Sequence, residues 1–209
     1  MRSGRPLIAL YLFDNGASAG RPLGGAARWW LHHSLAALSA SLVAIGARLD
    51  IIACAHDELP ALAKSLNATA VYWTRRYGGA GVACDAQLKS ALTQAGVEAV
   101  SFNGHLLREP WEVRSKVGEP FRVFTPFWRA HLALGEPVAP LPAPTAIEAA
   151  DWPAAAPVRT RLDQLALLPT KPDWAQGLRE AWRPGEAGAQ QRLADFLEGG
   201  IAHYADERD

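Results

Sequence analysis

Thr69-Ala-Val-Tyr-Trp-Thr-Arg-Arg-Tyr-Gly-Gly-Ala-Gly81 is the stretch on which the reading of this chain turns. Ala70 to Thr74 combines β-branched, aromatic and small residues in the manner of a buried strand. Arg75, Arg76 and Tyr77 stand where that strand ends, and Gly78, Gly79 and Gly81 then loosen the backbone ahead of a helix. In an open α/β sheet, ligands bind outside the carboxyl ends of the strands. Two arginines and a tyrosine beside a glycine turn would suit an anionic or planar ligand. The plainer alternative is a strand end with solvated arginines, since a fold does not by itself imply a function.

Working outward, Leu7 to Phe13 is a continuous apolar run, the pattern of a strand covered on both faces. A polar loop, Asp14 to Gly20, follows it. Between Gly25 and Ile45 the periodicity becomes helical: Leu31, Leu35, Leu38, Leu42 and Ile45 recur at steps of four and three, and Gly46 closes the helix. Trp30 and His33 lie beside that stripe. Arg48 to Cys54 predicts the next strand, with Asp57 as N-cap of a short helix through Leu66. After Thr69–Thr74, a helix marked by Cys84, Leu88, Ala91, Leu92 and Ala95 ends at Gly96, and Val97 to Phe102 reads as a fourth strand. Strands alternating with helices imply a parallel, doubly wound α/β sheet with right-handed crossovers.

Beyond Asn103 the pattern breaks. His105 to Phe121 is an irregular, charge-rich excursion anchored by Trp111. Thr125 as N-cap and Pro126 at the first helical position predict a helix to about Leu134. Glu136 to Pro172 holds more than half of the fifteen prolines, and reads as a wrapping linker with little regular structure. Its Trp152 and leucines are too apolar for a free tether. Pro184-Gly185-Glu186 opens a last helix whose Leu193, Phe196, Leu197, Ile201 and Tyr204 share one face with no evident partner.

Composition narrows the function classes. The 209 residues carry 21 Lys and Arg against 21 Asp and Glu, so any nucleic-acid surface must be local. Cys54 and Cys84 fit no metal or redox spacing and read as buried thiols in a reducing, cytoplasmic setting. No signal peptide and no bilayer-length apolar run is evident. Eight tryptophans point first to packing. Nothing resembles a nucleophile triad, paired carboxylates or a metal cluster, so no catalytic or metal-ligating residue is assigned.

Four stretches together resemble the DNA photolyase/cryptochrome family, in its bacterial class I branch. They are Pro22-Leu-Gly-Gly-Ala-Ala-Arg-Trp-Trp-Leu31, Ala70-Val-Tyr-Trp-Thr-Arg-Arg-Tyr77, Phe121-Arg-Val-Phe-Thr-Pro-Phe-Trp128, and Pro184-Gly-Glu186 followed by Tyr204-x-x-x-Arg208-Asp209. They run in the family's order along nearly the whole chain. The resemblance implies a Rossmann-like antenna-chromophore domain over residues 1–135, incomplete at its N-terminus, an interdomain linker over 136–183, and the start of a helical FAD-binding domain over 184–209. The family's first strand, central in its sheet, and most of its flavin domain have no counterpart here. Open strand edges would then invite self-association, or a rearranged contact between Leu7–Phe13 and Thr69–Thr74.

In the family, flavin donates an electron to a cyclobutane pyrimidine dimer flipped out of DNA, so the cofactor carries the hard chemistry. The implied protein is a light-dependent deoxyribodipyrimidine photo-lyase acting on damaged DNA, and this portion alone is expected to be inactive and to hold no FAD. Residue by residue, the resemblance implies that Tyr204 touches the flavin phosphate and Arg208 the DNA backbone. Arg28, Trp30, Arg76 and Tyr77 are the antenna-chromophore candidates. Folate-binding members place a glutamate after the tyrosine of the strand loop. Here Gly78 follows Tyr77, which argues against that mode and leaves the type of antenna open. A cryptochrome photoreceptor on the same scaffold is the alternative, and a universal-stress-like nucleotide-binding module, with phosphate on the amides of Gly78 to Gly81, a more distant one.

Overall fold

The computed structural model describes residues 4–15 and 22–207. The chain forms two compact units: the described residues up to Asn67 together with those from Pro144 onward, and Ala68–Ala143.

In the first unit, β1 (Ala9–Leu12) pairs in parallel with β2 (Leu49–Ile52), Ala9 opposite Leu49 and Leu12 opposite Ile52. The crossover between them is α1 (Gly25–Ala44), as the step-of-four-and-three pattern predicts. Ile45 caps it, and Gly46 follows at φ +87, a left-handed conformation that favours glycine. A Cβ at Gly46 would also lie 3.1 Å from the carbonyl oxygen of Ile147, so the position is doubly restricted. A 3₁₀ turn, His56–Glu58, leads into α2 (Leu59–Ser65). Glu58, rather than the expected Asp57, supplies the polar cap: its Oε1 accepts the N–H of Ala55 at 2.8 Å. The loop predicted from Asp14 lies largely outside the described residues.

The core of this unit is Leu35, Ile51, Leu165 and Leu167, flanked by Tyr11, Phe13, Leu31, Leu49 and Leu162. Leu38, expected on the buried stripe of α1, is exposed, whereas Trp29 is almost wholly buried. The proline-rich segment takes part in this core rather than only wrapping it. Its backbone is stitched to the unit: the N–H of Leu7 donates to Glu148, that of Ala150 to Leu7, that of Ile147 to Ile45, and that of Thr160 to Ile51. A 3₁₀ turn at Leu162–Leu165 then turns Leu165 and Leu167 inward. After α5 (Gln176–Ala181), α6 (Glu186–Asp195) continues through a π-helical turn, Phe196–Gly200, into α7 (Ile201–Glu207). Leu193, Leu197, Ile201 and Tyr204 along it are all exposed.

In the second unit, β3 (Ala70–Thr74) pairs in parallel with β4 (Glu98–Phe102) across α3 (Gly79–Gln94). The excursion after Phe102 is irregular, as expected. It leads to α4 (Phe124–Ala133), capped by Val123, so the helix begins before Thr125 and Pro126 sits inside its first turn. The architecture is a parallel α/β one, but the described strands form two separate ladders, β1–β2 and β3–β4, and the anticipated β1–β3 contact is not among them. In the first ladder α1, and in the second α3, lies between the paired strands, which are neighbours in strand order along the chain.

Candidate functional site

Arg28 lies in the first turn of α1 and reaches across the carboxyl ends of β1 and β2. Its Nη1 donates to Asn15 Oδ1 at 2.9 Å and its Nη2 to the carbonyls of Ala166 at 3.0 Å and Leu165 at 3.4 Å. Ala166 takes a left-handed conformation at φ 48, which presents its carbonyl to the guanidinium. Beside Arg28 is an open cavity of about 360 Å³ bounded by Phe13, Asp14, Asn15, Cys54 and Leu165. This is the strand-end crevice in which an α/β fold binds ligands. Burial pushes the Cys54 thiol up, with Glu58, Asp57 and Asp14 adding to it, so the cavity holds no ready thiolate.

Trp30, two residues along α1, meets Trp182 edge to face with ring centroids 5.7 Å apart. Trp29 contacts both Trp30 and His33, and its indole Nε1 is buried without a partner among the described residues. Trp30 nevertheless stays exposed, and its Trp182 partner is one that local sequence pattern could not single out.

In the second unit the strand-end residues are engaged with one another. Arg75 donates from Nη2 to the Ser101 carbonyl at 2.8 Å, pairs with Glu109, and lies over the Trp111 ring at 5.0 Å. The Tyr77 hydroxyl donates to Glu109 Oε2 at 2.8 Å. Partial burial and the Glu109 carboxylate raise the Tyr77 phenol against the opposing pull of Arg75. Arg76 donates through Nε and Nη2 to Asp85 Oδ1 at 2.8 and 2.6 Å, and its backbone N–H reaches Oδ2 at 3.2 Å. Burial alone would push Asp85 up; the Arg76 hydrogen bonds overcome it and hold the carboxyl below the ordinary range. Asp85 and Glu109 were not foreseen. Asp85 interrupts the apolar face of α3, the one local hint; Glu109 lies in the aperiodic excursion, which carries none.

Tyr204 is exposed on α7 and packs edge to face on Phe196 at 5.8 Å. Arg208 lies outside the described residues. Arg28, Trp30 and Tyr204 therefore belong to the first unit, and Arg76 and Tyr77 to the second. Among the described residues no three His, Cys, Asp or Glu side chains are grouped to hold a metal, and no helix is long and apolar enough to cross a membrane.

The comparisons with known proteins agree with one another. Residues 1–145 match the DNA photolyase family model. A deoxyribodipyrimidine photo-lyase from Agrobacterium fabrum is 44% identical over 208 residues, covering 99% of this chain and 42% of the relative. Cryptochrome-2 from Arabidopsis thaliana is 33% identical over 187 residues, covering 87% of this chain and 30% of the relative. Among solved structures, a bacterial class III photolyase from Agrobacterium tumefaciens superposes with a TM-score of 0.86 at 44% identity, over 98% of this chain and 42% of that one. The motifs resemble the class I branch while this relative is of class III; what they share is the family. The chain thus spans less than half the length of these relatives. Over the length that it does span, motif order, parallel α/β architecture and sequence identity agree, and the chain belongs to the DNA photolyase family.

Proposed function

We propose that this chain is the antenna-domain portion of a light-driven photolyase that repairs cyclobutane pyrimidine dimers in DNA. The observation that carries the reading is the 44% identity to a deoxyribodipyrimidine photo-lyase along 99% of this chain. In this reading residues 1–135 are the antenna domain, 136–183 the linker and 184–209 the opening of a helical flavin domain.

The described residues fit an antenna chromophore better than they fit FAD. The crevice beside Arg28 has polar groups on one wall and Phe13 and Leu165 on another, and its volume is that of a small-molecule site. Arg28 would hold a carbonyl or anionic edge there. For FAD only Tyr204 is available among the described residues, and it is exposed to solvent. FAD in the whole protein would supply the electron that opens the dimer; Tyr204 would contact its phosphate and Arg208 the DNA backbone, positioning the duplex without reading its sequence. A cytoplasmic location follows from the same reading, and self-association through strand edges, part of this proposal, is checked by sedimentation at several concentrations.

The cryptochrome alternative rests on the 33% identity to Cryptochrome-2. The experiment that separates them uses the full-length protein with its flavin reduced, illuminated with dimer-containing DNA. Light-dependent recovery of intact thymines is expected; a folded, flavin-loaded protein that recovers none is a photoreceptor instead. Arg208→Ala in that protein should weaken binding to damaged and undamaged DNA alike and lower the salt dependence.

A further inference from the structure

A second cavity, of about 510 Å³, lies in the first unit away from the strand ends, against β2. Its floor is apolar, from Leu35 and Ile51, and its rim carries Arg48, Arg159 and Arg161. None of the four motif stretches contributes a basic residue to it.

Two of these arginines are held in place by one buried carboxylate. Asp50 is 3% exposed, and its Oδ1 accepts both Arg48 Nε at 2.8 Å and Arg159 Nη1 at 3.0 Å. Sharing one oxygen, the two donor nitrogens can be no further apart than those contacts laid end to end. Arg159 is fixed further by lying over the Trp152 ring at 5.5 Å. Its neighbour Thr160 donates its N–H to Ile51 at 2.7 Å and accepts the N–H of Ala53 on its hydroxyl at 3.2 Å. The chain that carries Arg159 is therefore immobilised on β2 before any ligand arrives, which is the preorganisation a binding site needs.

The ordinary explanation is a tie that fastens the 159–161 segment to the strand. One guanidinium suffices to neutralise Asp50, and the second is surplus to that task. Arg161 is answered by Asp163, so the rim keeps one positive charge over. Among the described residues Arg48 uses only Nε and Arg159 only Nη1, leaving guanidinium N–H groups on both. Two nearby guanidinium forks are well suited to a phosphate. His32 in the wall has a buried Nδ1 with no partner among the described residues, one more polar group that the chain does not satisfy.

We propose that this cavity binds a small phosphate monoester with an apolar body, its head group on the remaining N–H groups of Arg48 and Arg159 and its body over Leu35 and Ile51. The test is a titration of this chain with phenyl phosphate, inorganic phosphate and phenol, followed by the arginine Nε–H signals in NMR. Phenyl phosphate should bind saturably with a Kd of about 1 mM or tighter, ahead of inorganic phosphate, and phenol should leave the arginine signals unmoved. Arg48→Ala should weaken phenyl phosphate about tenfold. Arg48 is half exposed and its loss leaves Arg159 on Asp50, so the fold should survive; Arg48→Lys, which keeps the charge but not the fork, should fall between. Absence of saturation by about 10 mM, or affinity unchanged in Arg48→Ala, overturns the proposal. So does a single-stranded oligonucleotide moving the same signals at lower concentration than phenyl phosphate, which would make the patch a nucleic-acid surface.

Discussion

Asp85→Ala should be the most damaging single change in the second unit outside its apolar core. The carboxylate side chain is 8% exposed and its Arg76 partner 34%, so the pair is buried on one side and wet on the other. Removing one member of a fully buried pair costs about 3–5 kcal/mol. Because Arg76 can turn to water, that figure is discounted here by about half. The backbone N–H of Arg76 loses its acceptor as well, about 1 kcal/mol more. The expectation is a loss of about 2.5–3.5 kcal/mol for Asp85→Ala, and about 1.5–2.5 for Asp85→Asn, which keeps an oxygen for that N–H. Since the native Asp85 carboxyl titrates below its unfolded value, its contribution is complete above the unfolded pKa of about 3.9 and disappears as pH falls through the native value. Asp85→Asn should therefore flatten the acid limb of the stability profile. Urea unfolding at neutral and acid pH measures both effects, and amide exchange in β3 and α3 localises them. A loss below about 0.5 kcal/mol for Asp85→Ala, or an undiminished loss when Arg76 is already alanine, would refute the reasoning.

Leu35→Ala, at a position 4% exposed between Ile51 and Leu165, should cost about 2–4 kcal/mol, read from the shift in urea midpoint. Glu109→Gln removes the charge that disfavours the Tyr77 phenolate, so the phenol should titrate lower, toward about 10, in an ultraviolet difference titration. An unchanged Tyr77 titration would mean the hydroxyl does not rest on Glu109. The Cys54 thiol, pushed up by burial and the nearby carboxylates, should react with iodoacetamide at pH 8 more slowly than a free cysteine; an equal rate would count against the packing at the end of β2.

What could be read from the sequence divides along the line between local and non-local information. The apolar run at Leu7–Phe13 and the stepped leucines of α1 report secondary structure because each residue's face is set by its near neighbours. Gly46 and Gly96, both at positive φ, mark the helix ends correctly for the same reason. The family was legible as well, since motif order survives without any geometry. The division into two ladders was not, because strand pairing is decided by residues far apart in sequence. Nor did the prolines around them reveal that Leu165 and Leu167 are core residues; proline frequency reports the lack of regular structure, not the lack of burial. At the strand-end site, Arg75 and Arg76 read as open donors until Glu109 and Asp85 were placed beside them. The π-helical turn at Phe196–Gly200 likewise escapes a face drawn at ideal helical spacing, although Gly199 and Gly200 are where such a loosening costs least.

The first unit is assembled from chain on both sides of the second, and this orders events during synthesis. Ala68–Ala143 leaves the ribosome complete before Thr160 emerges to meet Ile51, and before Leu165 and Leu167 can close over Leu35. The second unit, uninterrupted in sequence, is free to fold as it emerges. β1, α1 and β2 must wait with their apolar surface uncovered for the whole of that interval, and loop closure over so long a separation is slow. It is this interval, rather than any defect in the finished structure, that leaves the nascent chain most exposed to aggregation and most in need of a chaperone.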